Sequence, residues 1–301
     1  MRNTMILFFT NVCNAKCSHC FISPLTSCGD VVMDYPVFAK ALAFSEHIHI
    51  DRVKFSGGEP YIYWGKIREY LDKFSVKSSM RFSLCTNGFW ACNSDERKHR
   101  LQELRSYNFD ALEISTDSFH QEYIDFEQCI VPLLSDAISF GFRIDITVCY
   151  KNIMREATTI NRIKQIITDK EHLHIRPISK FGRAKENMLS AQQLFTTEQK
   201  CGVAGEICVR YDGRSFICCG PPIVYDIPEF FIGDVLSDPF QTITERYNKK
   251  NKIIDVVSTG LYPNMLSECM YKDDDYSLCE RCICYSVGNM VGGYDEKGGC
   301  V

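Results

Sequence analysis

No apolar run in the 301-residue sequence approaches the roughly 20 residues of a membrane-spanning helix. Its opening, Met1 to Thr10, also lacks the apolar core and small-residue cleavage site of a secretion signal. There is no basic excess: 34 Lys and Arg against 38 Asp and Glu leave a formal charge of −4, so nothing holds nucleic acid by its phosphates. With 18 Gly and 10 Pro the chain is too poor in both for collagen or low-complexity sequence, and at 45% hydrophobic it carries enough apolar surface to fold. No repeat of fixed period is present beyond an alternation of strand-like and helix-like segments. These absences exclude membrane, nucleic-acid-binding and fibrous classes and place a folded chain in the cytosol.

Cysteine is the exception. A chain this long has no need of disulfide staples, and 17 Cys in a cytosolic protein point first to metal ligation. Cys13, Cys17 and Cys20 crowd the N-terminus. Cys201, Cys208, Cys218 and Cys219 form a second group, and Cys269, Cys279, Cys282, Cys284 and Cys300 a third. Cys28, Cys85, Cys92, Cys129 and Cys149 are scattered and read as small buried hydrophobes.

Short apolar runs at Met5 to Phe9, Arg52 to Phe55, Met80 to Thr86, Ala111 to Ser115, Arg143 to Cys149 and His172 to Ile178 predict strands. Between them Tyr35 to His47, Trp64 to Phe74, Asp95 to Ser106, Glu122 to Phe140 and Arg155 to Thr168 predict helices. Repeated strand–helix units imply a parallel sheet with right-handed crossovers. Six of them make an α/β fold, a partial (β/α)6 barrel, with its site at the C-terminal strand ends. After about residue 190 that rhythm stops. Ile207 to Tyr211 and Ser215 to Cys219 read as a hairpin on a two-residue Asp212-Gly213 turn, and the Cys-rich remainder has too little periodic apolar sequence for a core of its own. Residues 1–190 and 191–301 are therefore expected as two domains, the second completed by bound metal.

Directly after the first strand stands Cys13-Asn14-Ala15-Lys16-Cys17-Ser18-His19-Cys20. Three thiolates at offsets zero, four and seven can hold three irons of a [4Fe-4S] cubane, leaving one iron open. A zinc site with a distant fourth ligand, or one cysteine-bearing helix face, fits the same spacing; Asn11, Asn14 and Ser18 favour a loop. At the end of the second strand Ser56-Gly57-Gly58-Glu59-Pro60 offers two glycines for close backbone approach and a carboxylate suited to an ammonium group.

Taken together the two motifs closely resemble the radical S-adenosylmethionine (radical SAM) superfamily. That resemblance implies a [4Fe-4S] cluster on Cys13, Cys17 and Cys20, SAM chelating the open iron, and the segment Gly57, Gly58, Glu59, Pro60 holding the SAM amino group. It extends through Thr86-Asn87-Gly88, Ser115-Thr116-Asp117 and Gly182-Arg183-Ala184, which implies Asn87, Ser115, Asp117 and Arg183 among the SAM contacts and His19 beside the adenine. The C-terminal part resembles the shortened auxiliary-cluster domains of the SPASM and twitch kind, with Cys201, Cys218, Cys279 and Cys282 as implied ligands of an auxiliary [4Fe-4S] cluster. Asn87-Gly88-Phe89-Trp90, Ile114 to Asp117 with Phe119-His120, the hairpin ending in Cys218-Cys219, and Cys279-Glu280-Arg281-Cys282 look like the peptide epimerases that make epipeptide-type products.

In that family a thiol returns hydrogen after Hα is taken, and the matching position is Cys219. On a strand, neighbouring residues face opposite ways, so Cys218 can ligate while Cys219 faces the cavity. With a two-residue turn, Tyr211 pairs with Arg214 and Glu206 falls opposite Cys219, an acidic partner where the family carries Asp. Both thiols as ligands, or both buried, is the alternative for the pair, and Cys208, Cys269 or Cys284 could replace an auxiliary ligand.

The expected reaction is L-to-D inversion of a residue in a ribosomally synthesised precursor peptide, with a flavodoxin or ferredoxin as electron donor. A maturase forming thioether or carbon–carbon cross-links, and a non-catalytic iron–sulfur sensor or scaffold, are the competing readings. No stretch before the first strand is long enough for peptide recognition, so capture is expected at the barrel mouth or through a separate partner.

Overall fold

Thr4–Thr10 is apolar at nearly every position and buried along its length, as a parallel strand covered on both faces must be. It is β1 of a computed structural model that describes residues 4–26, 29–74, 79–167, 172–187, 189, 201, 205–250 and 278–287. Five more strands follow: β2 (Arg52–Gly57), β3 (Arg81–Thr86), β4 (Phe109–Ser115), β5 (Arg143–Tyr150) and β6 (Leu173–Pro177). They pair in parallel in chain order, joined by the crossover helices α1 (Tyr35–His47), α2 (Trp64–Phe74), α3 (Ser94–Ser106), α4 (Val131–Ser139) and α5 (Ile153–Ile166). This is the expected partial barrel.

Alternation along the strands separates two surfaces. Phe9, Phe55, Phe82 and Phe109 point outward and pack with Phe38 of α1 and Tyr70 of α2 at ring separations of 5.3–6.3 Å. Such pairs add about 0.5–1.5 kcal/mol each to plain burial. The other parity faces the lumen. Ile6, Lys54, Ser83 and Ala111 lie in one register layer, with Cys208 beside Ile6.

One helix is shorter than expected. Between Glu122 and Phe140 a wide turn occupies Phe126–Ile130 and the regular helix begins only at Val131, because Pro132 has no N–H and is tolerated only in a first turn. After β6 the chain adds β7 (Ile207–Arg210), parallel to β1, then β8 (Arg214–Phe216) and β9 (Phe231–Asp234), antiparallel, so one nine-stranded sheet runs from β6 to β9. Among the described residues the helices α6 (Phe240–Lys249) and α7 (Leu278–Val287) follow.

The β7–β8 register corrects the expected turn. Cys208 faces Phe216 and Val209 faces Ser215, so Arg210 and Arg214 flank a three-residue loop rather than Asp212-Gly213 alone. Gly213 at φ 94° donates its N–H to Arg210 O at 2.9 Å, and Asp212 accepts both the Arg210 guanidinium and Arg214 N–H. A tight turn closed by a left-handed glycine is the geometry of that longer loop. Glu206 and Cys219 are therefore not ladder partners.

Two scattered cysteines are also corrected: Cys92 and Cys129 form a disulfide, although Cys92 is exposed. Cys28, Cys269, Cys300 and the side chain of Cys284 lie outside the described residues, as does the expected boundary at residue 190. Among the described residues no helix is long and apolar enough to cross a membrane.

Candidate active site

The cysteine loop leaves β1 at the C-terminal edge of the sheet and is clamped from two sides. On one side Gly58 N–H donates to Thr10 O and Glu59 N–H to Val12 O, both at 2.7 Å. A Cβ on Gly57, which has φ 130°, would stand 2.2 Å from Thr10 O, and one on Gly58 would stand 2.1 Å from Val12 O. Both glycines are thus dictated by contact with the strand that delivers Cys13. On the other side Arg183 N–H donates to Cys20 O, and a Cβ on Gly182 would meet the same carbonyl at 2.5 Å.

Glu59 is buried, and its carboxylate is engaged by the protein itself. One oxygen accepts from Tyr61 N–H and the Thr86 hydroxyl, the other from Asn87 N–H at 2.7 Å. Burial pushes its pKa up to about 7 against those hydrogen bonds. The carboxylate braces the turn after β3, and Pro60 opens the short helical turn Pro60–Tyr63 that Glu59 caps. Asn87, so held, donates to Asn14 at 2.9 Å and lies 4.0 Å from Cys13 Sγ.

Asp117, likewise buried, accepts from the N–H groups of Phe119, His120 and Cys149 and from His120 Nδ1, with His19 Nε2 at 3.9 Å. Its hydrogen bonds hold its pKa low in spite of burial. Asp117 therefore fixes the mouth, while Ser115 ends β4 beside Thr147. His19 stacks against Phe119 at 4.6 Å, and burial lowers its pKa to about 4, leaving a neutral ring.

The donor set fits an iron–sulfur cubane better than a single ion. A tetrahedral zinc with bonds of about 2.3 Å would draw its sulfurs to about 3.8 Å from one another. Among the described residues the one trio of ligand atoms all within 4.8 Å is His19, Asp117 and His120, and the sulfurs of Cys13, Cys17 and Cys20 are not drawn together in that way. Burial pushes the Cys13 thiol up to about 11 and the Cys17 thiol up to about 12, so thiolates here need a cationic partner. Arg183 sits within electrostatic reach of both; its Nε and His19 Nδ1 are buried without a hydrogen-bond partner. Such orphaned donors fit an anionic or nucleoside ligand.

A second group of thiols gathers beyond β8. The Cys218, Cys279 and Cys282 sulfurs are electrostatic neighbours, Cys201 couples to the last two, and Cys218 and Cys279 Sγ both lie within 4.0 Å of the position a Cβ on Gly220 would take. Cys208 is not among them: it is buried in β7, paired with Phe216 across the ladder and within electrostatic reach of Cys219. Cys219 itself is coupled to Glu206, Lys54, Cys201 and Arg176, and burial lifts its pKa to about 12. Glu206 is thus within electrostatic reach of Cys219, although the two are not the ladder partners expected.

Two lumen residues went unnoticed in the sequence. Lys54 Nζ is 2.8 Å from Glu113 Oε1 and 3.8 Å from Glu206 Oε2. Burial works against its charge, but the two carboxylates outweigh that and raise its pKa. A lysine between Val53 and Phe55, at the inward parity of a parallel strand, was the available signal.

A parallel partial barrel with a clamped three-cysteine loop at its mouth defines a radical SAM enzyme. The chain belongs to the radical SAM superfamily, whose family model matches residues 7–167. The superfamily's cofactors are a [4Fe-4S] cluster and SAM.

Among curated proteins the chain is 24% identical over 221 residues, 70% of this chain and 67% of the other, to YydG of Bacillus subtilis, named for peptide biosynthesis. It is 27% identical over 217 residues, 68% of this chain and 77% of the other, to a Methanocaldococcus jannaschii protein named as a glycyl-radical enzyme activating enzyme. The fold matches the structure of anSMEcpe with bound AdoMet and Cp18Cys peptide at TM-score 0.55 and 15% identity, covering 94% of both chains.

Proposed function

We propose that this chain is a radical SAM enzyme that modifies a ribosomally synthesised precursor peptide, and that the modification is conversion of an L-residue to its D-form. The similarity to YydG supports a peptide substrate. What supports epimerisation is the unlike surroundings of two adjacent thiols: Cys218 has Cys279 and Cys282 among its electrostatic neighbours, whereas Glu206 and Lys54 are foremost among those of Cys219.

When bound, SAM and its cluster on Cys13, Cys17 and Cys20 supply a 5′-deoxyadenosyl radical able to take Hα from the peptide. Gly57, Gly58, Glu59 and Pro60 with Asn87 shape that end of the site, Arg183 and His19 offer their buried nitrogens, and Asp117 and Ser115 terminate the β4 wall. The α-carbon left behind is planar, and the Cys219 thiol donates a hydrogen atom to its opposite face. The C–H bond forms as the S–H bond breaks, and Cys219 is left one electron oxidised. One electron and one proton restore it; a flavodoxin or ferredoxin is the class of donor for the electron. Cys201, Cys218, Cys279 and Cys282 would hold the auxiliary [4Fe-4S] cluster beside it.

The test is anaerobic turnover of reconstituted enzyme with SAM, reductant and the peptide encoded beside it, in deuterated water. Epimerisation leaves the product one deuterium heavier with a D-residue at that position, and Cys219→Ala keeps 5′-deoxyadenosine release but yields little D-residue. Loss of two hydrogens would instead mark a cross-linking maturase, and D-residue formation by Cys219→Ala at the unmodified rate would remove the proposed donor.

A further inference from the structure

Lys54 lies where the barrel gives it room. Its register neighbours are Ile6 on β1 and Ser83 on β3, and Ser83 is followed by Ala111 on β4, so two small side chains open a path across the lumen. The ammonium reaches Glu113 Oε1 at 2.8 Å, one inward position further along β4, and Glu206 Oε2 at 3.8 Å, on the residue just before β7, the strand paired with β1. Cys85 from β3 closes the group, its Sγ 3.6 Å from Glu113 Oε2. Lys54, Glu113 and Glu206 are at most a quarter exposed at the side chain. Glu206 is buried and Glu113 three-quarters so, and with the ammonium gone the two carboxylates would share the lumen with no counter-charge between them, which disfavours keeping both charged.

We infer that Lys54 is a positioning residue for the hydrogen-return step, holding Glu206 against Cys219 through an ion-pair bridge anchored on Glu113. This rests on the epimerase reading, in which Cys219 returns the hydrogen. In this role Lys54 acts through Glu206 rather than on the substrate itself. Without its ammonium Glu206 would turn away from the thiol or take up a proton, and hydrogen abstraction would continue while return to the opposite face slowed.

The measurement is D-residue formed per 5′-deoxyadenosine released by the reconstituted enzyme, with iron content verifying that each variant is folded and loaded. Lys54→Gln should lower that ratio about tenfold or more, whereas Lys54→Arg, which keeps the charge, should retain most of it. Lys54→Gln combined with Glu206→Gln should be no worse than Glu206→Gln alone, since one residue works through the other. A wild-type ratio in Lys54→Gln, or losses that multiply in the double variant, would overturn the inference.

Should Lys54→Gln fail to fold, Lys54→Gln with Glu113→Gln removes one charge of each sign and must show the same loss; a full ratio there overturns the inference equally. Cys219→Ala, run alongside, separates the two levels. If it still makes D-residue at the wild-type ratio, the assignment of Cys219 as hydrogen donor has failed, and if wild type makes none the epimerase reading has failed; if Cys219→Ala makes none while Lys54→Gln is unaffected, the inference about Lys54 alone has failed.

Discussion

Two glycines in the same sheet-to-helix region should respond to alanine with opposite signs. Gly58 is pressed against Val12 O, a backbone atom that carries the cysteine loop and has no flexible end to yield. Gly58→Ala must push that loop away, so we expect a cost of about 1–3 kcal/mol, together with reduced iron at the N-terminal thiols. Gly65, in the first turn of α2, has nothing within 4 Å of its would-be Cβ and no positive φ. There alanine should stabilise by about 0.5–1 kcal/mol, from helix propensity alone. Thermal melts with iron quantitation check both, and a neutral Gly58→Ala with full iron would contradict the clamp described for the loop. The same scale explains what the sequence made readable. Cysteine triplet and glycine pair are local patterns, so the mouth could be drawn from them, and Glu59 was found although its carboxylate serves the Asn87 turn. Lys54 and Glu113 were not found, because a charge on a strand reveals its partner only when the register is known.

At the scale of elements the crossover helices and six parallel strands were readable because their periodicities are strong. The places that differed are where one residue overrides a pattern: Pro132 delays α4, and Gly213 with Asp212 lengthens the β7–β8 loop. The Cys92–Cys129 disulfide was unreadable for another reason, since pairing across a separation of 37 residues depends on how the loops after β3 and β4 pack. It ties the segment that carries Asn87 to the entry of α4. Closing a loop of that length restricts the unfolded chain by about 3–4 kcal/mol in the chain-entropy account. We expect Cys92→Ser to lower the melting temperature when no reductant is present, and the difference from wild type to vanish under reducing conditions. Equal melting temperatures without reductant would show that the pair does not form in solution.

Across the whole molecule the chain holds its two thiol groups in unlike ways. Cys13, Cys17 and Cys20 sit on a loop clamped by Gly58, Glu59 and Arg183 and packed over Phe119 and Ile178, so the barrel supports them without metal. Helix α7, with Cys279 and Cys282, buries Ile283 in the main core, and Cys282 packs against that core. Metal ligation through Cys279 and Cys282 would add to that anchorage. If Cys201, Cys218, Cys279 and Cys282 hold an auxiliary cluster, Cys279→Ala with Cys282→Ala should lose about four irons per chain. It should also become protease-sensitive around residues 278–287 while 5′-deoxyadenosine release persists. Substituting Cys13, Cys17 and Cys20 should do the converse: SAM cleavage ends, the other irons stay and the C-terminal segment remains protected. Iron counts, cleavage-site mapping and deoxyadenosine release together separate the two patterns. A Cys279/Cys282 variant with undiminished iron and an unchanged digest would show that this quartet holds no cluster.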